Sequence, residues 1–351
     1  MLNKEIFWKG KKVLITGSTG FKGSWLTLAL RHAGAKIVGI SSKKLCSNLL
    51  ISNFINFKEE IKLYNADITN FKLLRKIITK EKPQIIFHLA AQPIVKKSYL
   101  EPYKTFCINA LGTVHILEII KDINSKIVLV NVTTDKVYKQ NKFNKDFKVN
   151  DQLGGNDIYS ASKSCSDIIA SAYYNSFYKN NNKVGIATAR AGNVIGGFDW
   201  AEDRIIPDFF RSIIKKKKLT IRMPNSVRPW QHVIDVVNGY MLLAKNLYKN
   251  PKKFSKSWNF GPKKNSNKSV IKLINQLNKI NNNKVKVVIQ KSNFHEEKSI
   301  KLDSSESIKE LNWKQKINFF NSIKLTSIIY EKFLNKKLTK NDFSRQIERY
   351  L

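Results

Sequence analysis

Apolar and polar residues alternate in blocks of two sizes along the first half of the chain. Val13, Leu14 and Ile15 form a short β-branched run, and Ile37 to Ile40 form another. Between them an amphipathic stretch continues to Ala33 and stops at Gly34. Short apolar runs predict buried strands, and the longer amphipathic stretches predict helices. Residues 63–67, 85–89, 127–132 and 184–189 repeat the strand signal, with helices predicted over 103–121 and 159–178. Such βα alternation predicts an α/β fold with a doubly wound parallel sheet, whose ligands bind outside the carboxyl ends of the strands. After Arg190 the alternation stops and Pro207, Pro224, Pro229 and Pro262 punctuate the chain. The pattern therefore divides the protein into a sheet domain over 1–190, to which 229–250 returns as a helix, and a smaller mixed substrate-binding lobe over 191–228 and 251–351.

The turn after the first strand carries Gly17, Gly20 and Gly23. Glycines suit a tight turn in which backbone approaches a phosphate with no Cβ in the way. The helix that follows directs free N–H groups and its positive dipole end at the anion. A strand before, a helix after and a second strand on time make this a Rossmann-type dinucleotide site. An acidic residue usually ends the second strand and grips the ribose of NAD. Here Ser41, Ser42, Lys43 and Lys44 stand there, and two lysines also suit the 2′-phosphate of NADP.

Charge changes the picture less than its size implies. The 351 residues include 63 basic and 26 acidic side chains, a net charge of +37, which raises a nucleic-acid reading. The lysines are dispersed among Asn and Ile, however, and the one dense cluster, Lys215 to Lys218, reads as a solvated helix end. Nucleic acid is not expected as the main partner; a positive field also captures an anionic substrate. Cys46, Cys107 and Cys165 lie far apart without a CxxC pair, so no disulfide framework or zinc site is expected. No HExxH or similar spacing points to a metal. The first residues, MLNKEIFWKGKK, lack the apolar core of a signal peptide, and no segment reads as a membrane span. A soluble, cytoplasmic protein is expected.

Tyr159 and Lys163 are four residues apart on one predicted helix and share a face. A lysine there could lower the tyrosine pKa and make it a base for an alcohol proton. The shift from about 10 to near 7 requires roughly 4 kcal/mol. One cation about 4 Å away at an effective dielectric near 20 supplies about that much. Tyr138/Lys142 and Tyr248/Lys252 share the spacing, but Tyr159 alone follows the fifth strand and its Thr134.

Gly17-x-x-Gly20-x-x-Gly23, His88-Leu-Ala-Ala-Gln, Asn109, Thr134 and Tyr159-x-x-x-Lys163 together resemble the extended short-chain dehydrogenase/reductase family. The stretches FWKGKKVLITGSTGFKGSWL, AAQPIVKKSY, TTDKVY, RAGNVIGGFDWAEDRIIPD, RPWQHV and WNFGP narrow the resemblance to its CDP-glucose 4,6-dehydratases, from Phe7 to about Leu311. Thr134-Asp135-Lys136 is the discriminating triplet, because related sugar-nucleotide dehydratases resemble Thr-Asp-Glu instead.

The resemblance implies NAD as cofactor, held by Gly17, Thr19, Gly20, Phe21, Lys22, Gly23, Asp67, Ile68, Ala90, Ala91, Gln92 and Asn109, with Tyr159 and Lys163. It implies that Tyr159 takes the C4 hydroxyl proton, Thr134 hydrogen-bonds the reacting sugar oxygen, Asp135 is the acid at C6 and Lys136 the base at C5. Substrate contacts are implied for Asn193, Arg204, Arg228, His295 and Glu296, the arginines because a planar fork matches phosphate oxygens. His232 reads as a packed core histidine. The implied assembly is a homodimer or dimer of dimers, packed through helices near Tyr103 and Tyr159, and the implied substrate is a CDP-hexose for deoxysugar and O-antigen synthesis. Three features depart from the pattern: the 140–153 loop QNKFNKDFKVNDQL, Ile158 in place of a proline, and Leu311-Asn312-Trp313 without its glycine. Another sugar-nucleotide epimerase or dehydratase, or a non-catalytic dinucleotide-binding regulator, remains open on sequence.

Overall fold

The structure, a computed structural model of the chain, describes residues 6–42, 51–139, 146–282, 285–290 and 300–351. Its strands are β1 (Lys12–Thr16), β2 (Lys36–Ser41), β3 (Lys62–Asn65), β4 (Ile85–His88), β5 (Ile127–Val132) and β6 (Val184–Arg190), followed by seven short ones. These are β7 (Val194–Ile195), β8 (Leu219–Ile221), β9 (Val227–Pro229), β10 (Gln231–His232), β11 (Ser257–Asn259), β12 (Asn267–Ser269) and β13 (Val287–Ile289). The central sheet runs β11-β6-β5-β4-β1-β2-β3, all parallel. The order reverses direction at the β1–β4 junction, where such sheets bind their ligands.

Strand residues alternate between two cores because successive side chains point to opposite faces. Val13, Ile15, Ile85, Phe87, Val128 and Val130 face one core, which the helices Phe21–His32 and Val233–Lys249 cover. Leu14, Ile86, Ile127 and Leu129 face the other, beneath the helices Phe71–Glu81, Gly112–Lys121 and Ile158–Tyr173. Burial on both faces explains why the strands read as continuous apolar runs.

The predicted helix over 103–121 is continuous but carries a π-turn in its middle. It comprises the helix Pro102–Phe106, a π-turn Cys107–Leu111 and the helix Gly112–Lys121. The predicted 159–178 helix likewise ends in a π-turn, Tyr174–Tyr178. Several pieces of the stretch 251–351 lie with the sheet rather than with the lobe, Leu311, Trp313 and Ile317 among them. Strand β11 pairs with β6, and Phe343 and Ile347 of the helix Lys340–Tyr350 join the core around Trp25. A strand of three residues shows no period, and a helix this polar displays only a few spaced apolar positions. A separate core around Phe209, Phe210, Leu273, Leu277 and Tyr330 fills the lobe.

Beneath the carboxyl ends of β5 and β6, Arg190 and Asp167 form a buried two-pronged ion pair, Nε to Oδ2 at 2.8 Å and Nη2 to Oδ1 at 3.0 Å. Ser257 Oγ and Thr133 Oγ1 also donate to this carboxylate. Arg190 further donates to Tyr138 Oη and to the Val149 carbonyl. Arg190→Met leaves a buried carboxylate without its cation. We expect a loss of about 3–5 kcal/mol, read from the urea midpoint at unchanged slope; a negligible change would show that the pair does not hold this region together.

Candidate active site

The glycine turn is set by contacts no other residue tolerates. Gly17 has φ +71°, and a Cβ there would lie 2.8 Å from the Ala90 nitrogen. A Cβ at Gly23 would lie 2.0 Å from the Gly17 carbonyl oxygen. Gly20 begins the helix Phe21–His32 with no side-chain cap, which leaves the first-turn N–H groups facing outward. At the end of β2, Ser41 Oγ accepts from the Thr19 N–H at 3.1 Å and bonds Ser18 Oγ at 3.2 Å. A serine that braces the glycine loop thus occupies the place of the expected acidic residue. Lys43 and Lys44 lie outside the described residues.

The other residues assigned to the cofactor surround this turn. Thr16 Oγ1 accepts from the Ala90 N–H at 3.2 Å and bonds His88 Nδ1 at 2.7 Å. Burial and the Lys163 charge push His88 down to about 3, so its ring is neutral. Ala91 follows half-buried, and Ile68 is buried against Gly112. Asn109, turned inward by the π-turn, accepts from the Gln92 N–H at 2.8 Å and donates to Ser162 Oγ at 2.9 Å. The Gln92 amide is itself bonded to Ile94 and Thr105. Gln92 and Asn109 therefore pin the β4 loop to two helices. Exposed Asp67 closes its own turn, accepting from the Thr69 N–H and hydroxyl.

Thr134, Asp135 and Lys136 follow β5 at the mouth of the sheet. Thr134 Oγ1 caps the 3-10 turn Asp135–Val137 and donates to Asp135 Oδ1 at 3.0 Å. Asp135 is buried, and its Oδ2 has no hydrogen-bond partner among the described residues. Gly192 makes room for it: a Cβ there would fall 1.7 Å from Oδ2. Lys136 is half-buried beside them.

Tyr159 stands in the first turn of the helix Ile158–Tyr173, which Asp157 caps by accepting from the Ser160 N–H at 2.9 Å. Its phenol is hydrogen-bonded with the Thr134 hydroxyl. The spacing of Tyr159 and Lys163 predicts a lowered tyrosine pKa, and the structure shows the opposite. Burial pushes the phenol up to about 12, against the smaller effects of Thr134 and the Arg204 charge. Lys163 Nζ donates to the Val132 carbonyl at 2.8 Å, and burial and the Lys22 charge bring it down to about 7. The lysine is anchored to the end of β5, and desolvation of the phenol outweighs the cations near it.

A cavity of about 700 Å³ opens between sheet and lobe. It is lined by Thr134, Asp135, Lys136 and Tyr159 on one side and by Asn193, Arg204 and Arg228 on the other. Arg204 donates to Asp199 Oδ2 at 3.0 Å; Arg228 is buried on β9 and donates to the Val227 carbonyl. Asn193 takes a left-handed turn (φ 44°) just before β7. His295 and Glu296 lie outside the described residues. His232 is fully buried, pushed down to about 3, and its Nδ1 accepts from the Ile234 N–H. The sequence reading did not place Lys22, Arg222 and Gln290 on this cavity, nor Lys215, Lys217 and Lys218, which line its rim while remaining exposed. The one available signal was Lys22, a cation in the first turn of a helix, where the dipole disfavours it.

The comparisons with known proteins identify the family and the fold. Residues 14–326 match the family model described as GDP-mannose 4,6-dehydratase. The CDP-glucose 4,6-dehydratase of Salmonella typhimurium is 40% identical over 318 residues, 89% of this chain and 88% of that protein. Two dTDP-glucose 4,6-dehydratase crystal structures show the same fold. One, from Bacillus anthracis in complex with NAD, has a TM-score of 0.77 at 23% identity, covering 92% of this chain and 97% of its own. The other, DesIV from Streptomyces venezuelae with NAD bound, has a TM-score of 0.80 at 20% identity, covering 93% and 98%. A Rossmann-type sheet, a glycine turn and a Thr-Asp-Lys/Tyr-x-x-x-Lys cavity, carried on a sequence that matches the family model nearly from end to end, place the chain in the GDP-mannose 4,6-dehydratase family of nucleotide-sugar enzymes.

Proposed function

We propose that this protein is an NAD-dependent hydro-lyase that converts CDP-glucose to CDP-4-keto-6-deoxyglucose. One observation carries the reading. A single cavity gathers a Tyr–Thr pair suited to oxidising an alcohol, an Asp–Lys pair suited to removing water, and arginines suited to a diphosphate. The 40% identity to a CDP-glucose 4,6-dehydratase supports the nucleotide. Backbone that admits no Cβ at Gly17 and Gly23, next to an uncapped helix start, fits the cofactor's diphosphate. Gly17, Thr19, Gly20, Phe21 and Gly23 would hold it, with Ala90, Ala91 and Ile68 walling the adjacent pocket. Bound NAD supplies a hydride acceptor at C4 that serves as the hydride donor at C6.

The protein's own groups manage protons and charge. Tyr159 removes the C4 hydroxyl proton while Thr134 orients the sugar oxygen. Bringing a phenol from about 12 to neutrality takes about five pKa units, or roughly 7 kcal/mol. One cation about 4 Å away at an effective dielectric near 20 supplies only about 4 kcal/mol. Lys163, Arg204 and the positive nicotinamide ring must therefore act together. The resulting C4 ketone acidifies C5–H. Lys136 takes that proton, and Asp135, held by Thr134, faces the C6 hydroxyl group that leaves as water. Asn193, Arg204 and Arg228 grip the nucleotide diphosphate from the lobe.

We also infer a cytoplasmic homodimer. Leu100, Tyr103, Leu111, Ile168 and Phe177 are at least half exposed, on neighbouring helical segments whose apolar surface a second copy would cover.

Three outcomes are expected. Purified protein offered CDP-, UDP-, dTDP- and GDP-glucose produces the alkaline absorbance of a 4-keto sugar with the CDP sugar; product from another nucleotide alone would reassign the substrate. Lys136→Ala lowers dehydration by about 10²–10⁴-fold and slows deuterium exchange at C5 in parallel; exchange at the normal rate would remove Lys136 as the base. In sedimentation the wild type runs as at least a dimer, and Leu100→Glu combined with Ile168→Glu runs as a monomer. A wild-type monomer at micromolar concentration would exclude the assembly.

A further inference from the structure

One face of strand β9 forms a wall of the cavity. Ser226, Arg228 and Trp230 line it, whereas Val227 and Pro229 between them do not. That alternation is the two-residue period of extended backbone. The pairing of β9 with β12 covers Val227–Pro229. Beyond it the Val270 N–H donates to the Ser226 carbonyl at 3.1 Å, which carries the ladder to Ser226. All three cavity-facing side chains are buried. Trp230 Nε1 donates to the Lys268 carbonyl, and Arg228 Nη1 donates to the Val227 carbonyl. Ser226 is only 5% exposed, and its hydroxyl has no hydrogen-bond partner among the described residues. A buried hydroxyl left unsatisfied is costly, and Ser226 borders the space that a ligand fills.

The row Trp230, Arg228, Ser226 has a direction. Next to Trp230, Gln231 pairs with Val194 of β7, and its side-chain amide donates to the Gly192 carbonyl at 3.0 Å. The Asp135 carboxylate lies directly against Gly192. This end of the row therefore stands at the reacting hexose. Arg228 comes next and takes the diphosphate. Ser226 lies one strand repeat further, about 7 Å along, on the side away from Asp135. A nucleotide sugar runs hexose, diphosphate, ribose in the same order. Its ribose hydroxyl groups are the first groups beyond the phosphates that both donate and accept hydrogen bonds.

We propose that Ser226 is a specificity-determining residue whose hydroxyl bonds a ribose hydroxyl group of the bound cytidine nucleotide. The site then selects a ribonucleotide over a deoxyribonucleotide, because a ligand without that hydroxyl group leaves a buried polar group unpaired. The inference rests on the dehydratase reading for the direction in which the substrate lies, and adds the residue that holds its ribose. Ser226 stands away from the reacting carbons, so it acts on how tightly the nucleotide is held and not on the rate of the bound complex.

The test measures binding of CDP, 2′-deoxy-CDP and 3′-deoxy-CDP to the NAD-loaded protein by calorimetry, in the wild type and in Ser226→Ala. The wild type should bind one of the two deoxy compounds about tenfold more weakly than CDP. In Ser226→Ala that difference should vanish, with CDP itself held about tenfold more weakly. KM for CDP-glucose should rise by the same factor at unchanged kcat. The wild-type comparison needs no variant, and equal affinity for all three ligands would overturn the proposal. So would a difference that survives in Ser226→Ala, since Ser226 would then meet phosphate, base or nothing. A wild type that discriminates among the three ligands but makes no keto sugar from CDP-glucose would support ribose recognition and overturn the dehydratase reading.

Discussion

Between Asp167, on the helix Ile158–Tyr173, and Arg190, at the end of β6, two hydrogen bonds close in the protein interior, and the turn Asp135–Val137 is tied to them. A buried ion pair gives little net stability by itself, but losing one partner is costly, so its geometry is enforced. Through Tyr138, Arg190 fixes the residues just after Asp135–Val137. Tyr138 Oη in turn donates to Asn259 of β11, and the Asn259 amide reaches the Phe147 and Asp303 carbonyls. Sheet, the turn Asp135–Val137 and lobe therefore share one polar network. Next to it Val137, Tyr138, Phe147, Ile300 and Leu302 form a small core of their own.

Above that network the site accumulates positive charge. Lys22, Lys136 and Arg204 line one cavity in which Asp135 is the carboxylate next to the tyrosine, with Lys163 behind them. Burial lowers Lys22 and Lys163 and raises the Tyr159 phenol, so these three groups are moved toward their neutral forms. A diphosphate entering this field meets excess positive potential, consistent with the chain's overall charge of +37.

Much of this was legible in the sequence. The boundaries of β5 and the start of β4 follow from apolar runs bounded by turn residues, since strands buried on both faces are mostly apolar along their length. The glycine turn was readable because backbone sterics act over a few residues. Thr134, Asp135 and Tyr159 were located by their places at strand and helix ends, where the parallel sheet puts its ligands.

What depended on distant partners was not legible. The chain order does not reveal that β11 completes the sheet, because three residues carry no period and their register comes from β6. Nor does the four-residue spacing reveal that Lys163 binds the Val132 carbonyl, or that burial rather than charge sets the Tyr159 phenol. Lys22 reads as part of a cofactor turn and acquires its neighbours only when the helix start meets the ends of β5 and β6. Sequence alone determined the fold class, the succession of strand segments along the first half and the residue types available for chemistry, because these follow from local sterics and hydrophobic period. Tertiary structure alone decided which of those groups face one another and which proton each holds, because desolvation and Coulomb interactions depend on distances between segments far apart in the chain.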